Sequence, residues 1–182
     1  MAAARHTRAV DATEQTLPGR TGAVVRSVLG AVSLVGGLTW ILLNMGAPRP
    51  VTDMIVGVVL AGGGLVLLMP HRVRLPARAT AAATVAAALG GTLAGVISES
   101  TQLGGMWAYL ASRGWPFAWV SRAGLGGDAA TARQVAEQSS WQVDAVNLAA
   151  DLYFWAFAGL LLVVAARLAR RSAAVPEPAP QS

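Results

Sequence analysis

The chain has 182 residues, 54% hydrophobic and only 13% charged, with a formal net charge of +5 and no cysteine. A soluble domain of this length carries nearer a quarter charged residues, so a large lipid-facing fraction is expected. The missing cysteine excludes disulfides, thiolate metal sites, a cysteine nucleophile and a lipoprotein anchor, and the basic excess lacks the aromatic-interleaved patch of a nucleic-acid binder.

All 14 basic residues are arginine, and Ala, Gly and Val are abundant, which is the residue bias of a GC-rich bacterial genome. Residues 1–22 form a polar tail expected to be disordered and cytoplasmic. A membrane domain, 23–171, follows. Its first predicted span, 27–47, closes at Pro48-Arg49-Pro50. About 21 apolar residues exceed a signal-peptide core, and Met45 spoils the best cleavage site, so this helix is read as retained. The second span, 51–69, is expected to start on Thr52 or Asp53 and to stop at Pro70.

The third span, 77–98, carries the clearest packing pattern. Ala79, Ala83, Ala87, Gly91 and Gly95 recur every four residues, with Ala82, Ala86, Gly90 and Ala94 in a row beside them. Small side chains let another backbone approach closely. Packing within one bundle and a homo-oligomer seam are both compatible with this stripe. Ser33-x-x-x-Gly37 and Gly57-x-x-x-Ala61 are shorter versions on the first two spans.

Residues 99–143 form a 45-residue loop, far longer than the other connections. Loops of this length are functional or disordered, and this one is too aromatic for disorder. Residues 106–111 are expected to form a short interfacial turn. Gly114-Trp115-Pro116-Phe117-Ala118-Trp119-Val120 reads as an apolar hook. Trp115, Phe117 and Trp119 are candidates either for an interfacial anchor or for a contact surface toward a partner protein or lipid. Asp128 is expected to cap a short helix over 129–138, and Ser139-x-x-Gln142 resembles a capping box leading into the last span, 144–166. The C-terminal tail, 172–182, is Pro/Ala-rich and again expected to be disordered.

Orientation follows from arginine placement. With the amino terminus inside, ten arginines (5, 8, 20, 26, 72, 74, 78, 167, 170, 171) fall on the inner side and four (49, 113, 122, 133) on the outer. All six tryptophans fall in the outer loop or the outer halves of helices, where indole rings favour the headgroup level. The expected protein is therefore all-α: a polytopic bundle of four transmembrane helices in a bacterial cytoplasmic membrane. Both termini are cytoplasmic, and a long outer loop joins helices three and four.

The polar candidates lie at the outer end. Asp144, Asn147 and Asp151 are spaced i, i+3, i+7 on one helix face. Glu99, read as the end of the third helix, opposes the local dipole and needs a cationic partner, Arg49 or an outer-loop arginine. Gln102 lies three residues on. Acidic groups at membrane depth are functional candidates, and structural bonding between helices is the competing account. Two resemblances touch these residues. The hook together with Asn147-x-x-x-Asp151-x-x-Phe154-Trp155 resembles a pattern in small bacterial four-helix membrane proteins, which implies no particular activity. Glu99-x-x-Gln102, with Asp144 and Asn147 further on, resembles the VanZ-like family, although the loop between them is much longer here and the first half shows no matching motif.

No Walker loop, HExxH or GxSxG occurs, and His6 and His71 are remote from the carboxylates. No cofactor, metal site or nucleic-acid partner is expected. The sequence points to a small non-enzymatic membrane protein that binds a partner protein or lipid through its outer loop. A carrier or lipid-modifying protein using outer-face carboxylates is the alternative.

Overall fold

A computed structural model of the chain describes residues 17–47, 49–69, 77–105 and 107–173. Of the expected tails, 1–22 and 172–182, the parts 1–16 and 174–182 lie outside the described residues, as does the stop at Pro70. The chain divides after Arg74 into two compact units.

The first unit is a helical hairpin of α1 (Leu17–Leu43) and α2 (Pro50–Leu68). The helix α1 begins inside the stretch expected to be tail. The cap expected at Thr52 or Asp53 is not used: Pro50 occupies the first helical position after Arg49, and Asp53 lies in the first turn. Pro suits that position because its missing N–H would be unbonded there anyway. The hairpin closes on small residues. A Cβ on Gly37 would stand 2.6 Å from both Gly57 O and Ala61 N, and one on Gly64 would stand 2.6 Å from Gly30 O and Leu34 N. The two backbones therefore touch along the rows that the sequence marks with Gly37, Gly57 and Ala61. Larger residues point away: Val32 and Val35 are 63% exposed and Leu42 71%, the arrangement of helices whose outer surface meets lipid rather than water.

The second unit contains α3 (Ala77–Gly95), strands β1 (Glu99–Gly104), β2 (Ala108–Arg113) and β3 (Val120–Leu125), α4 (Ala129–Gln138), β4 (Gln142–Val143) and α5 (Ala145–Ala173). The expectation of an all-α protein is corrected here. The segment between α3 and α5 folds as a four-stranded antiparallel sheet in the order β1-β2-β3-β4, with Glu99 opposite Arg113 and Arg113 opposite Val120. Much of the stretch expected as an interfacial turn is β2. The short helix falls where expected, with Asp128 as its cap accepting from Thr131 N at 2.7 Å. That bond holds the Asp128 carboxyl below its ordinary pKa. The capping box is not formed. Ser139 ends α4 and donates to Ala123 O on β3, and Gln142 lies in β4. Asp144 caps α5 instead.

Helix α4 lies close against the sheet. Ala132 and Ala136 are fully buried, and a Cβ on Gly124 would strike the α4 backbone at Ala132 and Ala136. Glycine is required there for close approach. Among the described residues, three helices are long and apolar enough to cross a membrane: Thr21–Leu43, Pro50–Leu68 and Ala145–Ser172. The 19-residue α3 matches α2 in length but is built largely of Ala, Gly and Thr, and it is not among the three.

The stripe on α3 faces its own chain. A Cβ on Gly91 would enter the Trp155 indole, one on Gly159 would strike Ala87, and one on Gly95 would lie 2.9 Å from Trp115 N. The neighbouring row of Ala82, Ala86, Gly90 and Ala94 is exposed. Gly91→Leu should therefore destabilise the protein by about 1–3 kcal/mol, the usual cost of overpacking. Gly90→Leu, with nothing within 4 Å of its Cβ, should melt at or above the wild-type temperature in detergent. Equal melting of the two variants would place Gly91 on an open face.

Candidate functional site

The site is built where α3, the hook and the start of α5 converge. Asp144 terminates the sheet and opens the helix. Its amide donates to Trp119 O at 2.8 Å, and its Oδ1 accepts from Val146 N and Asn147 N at 2.9 and 3.0 Å. A carboxylate bonded to free amides of a first turn also meets the positive end of the helix dipole.

Three side chains on α5 then take hold of the hook backbone in succession. Asn147 Nδ2 donates to Ala118 O at 3.1 Å, Asp151 Oδ1 accepts from Phe117 N at 3.3 Å, and Trp155 Nε1 donates to Trp115 O at 3.1 Å. Residues 147, 151 and 155 are one helical turn apart, so they form a row along one face. The hook runs antiparallel along that row. Gly114, at φ 123°, makes the turn into it, and Trp115-Pro116 is a cis peptide. The Trp115 ring packs edge-on against Phe154 at 5.7 Å and at a tilt against Trp155 at 5.6 Å. Gly95 leaves room for the Trp115 backbone.

Asp151 is the centre of this arrangement. It is fully buried, and among the described residues no close hydrogen bond reaches its Oδ2. Thr92 of α3, 4% exposed, turns its hydroxyl toward the carboxyl within reach of a weak hydrogen bond. A buried carboxyl whose second oxygen meets only a hydroxyl can accept or hold a proton, or take a small polar ligand.

The other predicted residues are placed differently. Glu99 is not at a helix end, since α3 stops at Gly95 and turns through Val96–Ser98. It begins β1 and pairs with Arg113 at 2.8 Å, both side chains being more than a third exposed. Its partner is thus one of the expected outer-loop arginines. Gln102 lies on β1, exposed, opposite Leu110. Among the described residues, Glu99 and Asp151 share no partner. Arg113 and Arg122 both stack on Trp141, their guanidinium carbons 4.7 and 4.5 Å from the ring centroid, which ties the sheet to the strand leading into α5.

Trp115, Phe117 and Trp119 are each half-buried in the hook. More exposed than these are Leu103, Trp107 and Leu125, at 66%, 53% and 72%. All three sit at the end of the sheet remote from both helix junctions, since Gly104 pairs with Ala108 and Ala108 with Leu125. A sequence signal for them exists. Leu103-Gly104-Gly105 and Leu125-Gly126-Gly127 are the same tripeptide at two strand ends. No family model, curated protein or solved structure matches this chain.

Trp155→Phe keeps a ring over Gly91 but removes the donor to Trp115 O. Leaving that carbonyl unbonded should cost about 1–3 kcal/mol in denaturant unfolding. It should also expose the 115–117 segment to proteolysis. Wild-type behaviour in both assays would show that the indole bond does not hold the hook.

Proposed function

We propose that this chain is a non-enzymatic, four-crossing protein of a bacterial cytoplasmic membrane, with both termini inside, that presents its 99–143 segment as a small outer domain for binding a partner protein. In this reading α3 is the fourth crossing. Nineteen helical residues span about 28 Å, close to the roughly 30 Å hydrocarbon core, and its small-residue row is shielded by α5 and the hook rather than by lipid. The arginine asymmetry supports the orientation.

The observation that carries the binding reading is the exposed tip of Leu103, Trp107 and Leu125 on a domain otherwise tied down at its base. Free exposure of a tryptophan and two leucines at one end of a small sheet is costly in water and marks a contact surface. The hook aromatics, engaged with α5, serve to hold the domain rather than to meet the partner. A second reading, a carrier or lipid-modifying protein using outer carboxylates, draws on the buried carboxyl of Asp151 beside the Thr92 hydroxyl. Its second carboxylate, Glu99, is already committed to Arg113.

The test is a photo-crosslinking amino acid placed at Leu103 in native membranes, with Gln134 on the exposed side of α4 as control. A discrete protein adduct is expected at 103 and not at 134, and it should disappear when Trp107→Ser and Leu125→Ser are added. Adducts only to lipid at 103, or identical adducts at both positions, would contradict partner binding through the tip.

A further inference from the structure

At the opposite end of the α3–α5 pair a cavity opens between the helices. Beyond the tight contacts of Gly91 with Trp155 and of Ala87 with Gly159, the small side chains of Ala79 and Ala83 face the last turns of α5 across a cavity of about 560 Å³. Its other walls are Val163, Ala166, Arg167, Arg170 and Arg171. The cavity therefore has an apolar floor and a rim of three guanidiniums, and among the described residues no carboxylate lines it. Its volume falls in the roughly 300–1,000 Å³ range of small-molecule sites.

Arginines in the last turn of a membrane helix have an ordinary role: they favour the negative end of the dipole and reach into the headgroup layer. That role needs no cavity. Here a gap between two apolar walls adjoins them, which gives an acyl chain a place to lie while the head group meets the cations. Guanidinium forks bind phosphate oxygens with two parallel N–H bonds, and basic pockets between membrane helices on the cytoplasmic side select anionic head groups.

We infer that the cavity between α3 and the C-terminal turns of α5 is a binding site for an anionic phospholipid, with Arg170 and Arg171 on the phosphate and Ala79, Ala83, Val163 and Ala166 against the chain. Arg167, half-buried at the mouth, closes the site between the apolar floor and the head group. With the proposed orientation the lipid belongs to the inner leaflet. The inference does not depend on the outer tip or its partner.

The full-length protein in nonionic detergent, supplied with equal amounts of phosphatidylglycerol and phosphatidylcholine of matched chains, should retain the former about tenfold better in native mass spectrometry, as two interfacial arginines allow. Arg170→Gln with Arg171→Gln should erase that preference, whereas Arg170→Lys with Arg171→Lys should keep most of it. Ala79→Phe fills the floor without touching a charge, and it should reduce phosphatidylglycerol retention to the phosphatidylcholine level. Melting temperature and a monodisperse elution profile report that each variant is folded. Should the Gln pair fail to fold, the Lys pair and Ala79→Phe still decide. Equal retention of the two lipids by the wild type would overturn the site. So would undiminished binding by Ala79→Phe, which would reduce the effect to flanking charge. Displacement of the lipid by millimolar glycerol phosphate would show a site for the phosphate group alone and would equally overturn it.

Discussion

The organisation of the second unit depends on one constraint: backbone polar groups brought to the edge of a membrane must find partners within the protein. The hook carries carbonyls and an amide down against α5, and α5 answers each with a side chain one turn further along. Asn147, Asp151 and Trp155 are chemically unlike, and they match what the hook offers at each step: donor for carbonyl, acceptor for amide, donor for carbonyl. An apolar residue at any of the three would leave a buried group unbonded, at a cost of about 1–3 kcal/mol. Asp151 sits about 9 Å into the helix at 1.5 Å per residue, and the amide of Phe117 is one reason for a carboxylate at that depth.

Small residues make the row possible. Gly91 accepts the Trp155 indole and Gly95 accepts the Trp115 backbone, so α3, the hook and α5 pack closely around those two tryptophans. The same device closes the α1–α2 hairpin through Gly37, Gly57 and Gly64. In lipid there is little hydrophobic drive between helices, and close backbone approach supplies the dispersion contacts that hold them. The sheet is held separately, by the Glu99–Arg113 pair and by the two guanidiniums on Trp141. That leaves its far tip uncommitted.

Much of this was legible in the sequence, and the gaps have physical causes. Runs of apolar residues marked α1, α2 and α5, because burial in lipid leaves a length requirement that hydropathy reads directly. Asp128 marked α4, because an N-cap is a local bond. The four-residue row from Ala83 to Gly95 marked the packed face of α3. The strands were missed. Glu-Ser-Thr-Gln-Leu-Gly and Ala-Tyr-Leu-Ala-Ser-Arg hold few β-branched residues and little alternation, and what stabilises them is cross-strand pairing between positions up to 17 apart, as at Ala108 and Leu125. Asn147 and Asp151 stood out as polar groups in an apolar helix. Trp155 did not, since a tryptophan near the outer interface reads as an anchor until its indole nitrogen is seen to have a specific acceptor. Leu103 and Leu125 were passed over because an exposed leucine is visible only once the sheet is.

The central claim is that α3 and α5 are both crossings and that the folded 99–143 segment hangs between them on the outer side. Single cysteines in this Cys-free chain test it directly, at Gly46 in the α1–α2 turn, Gln134 on α4 and Ser172 at the end of α5, each labelled in intact cells with a membrane-impermeant maleimide. The account predicts that Gly46→Cys and Gln134→Cys label from outside and that Ser172→Cys labels only after the membrane is opened. Labelling of Gly46→Cys and Gln134→Cys from opposite sides would mean that α3 does not cross, and would contradict it.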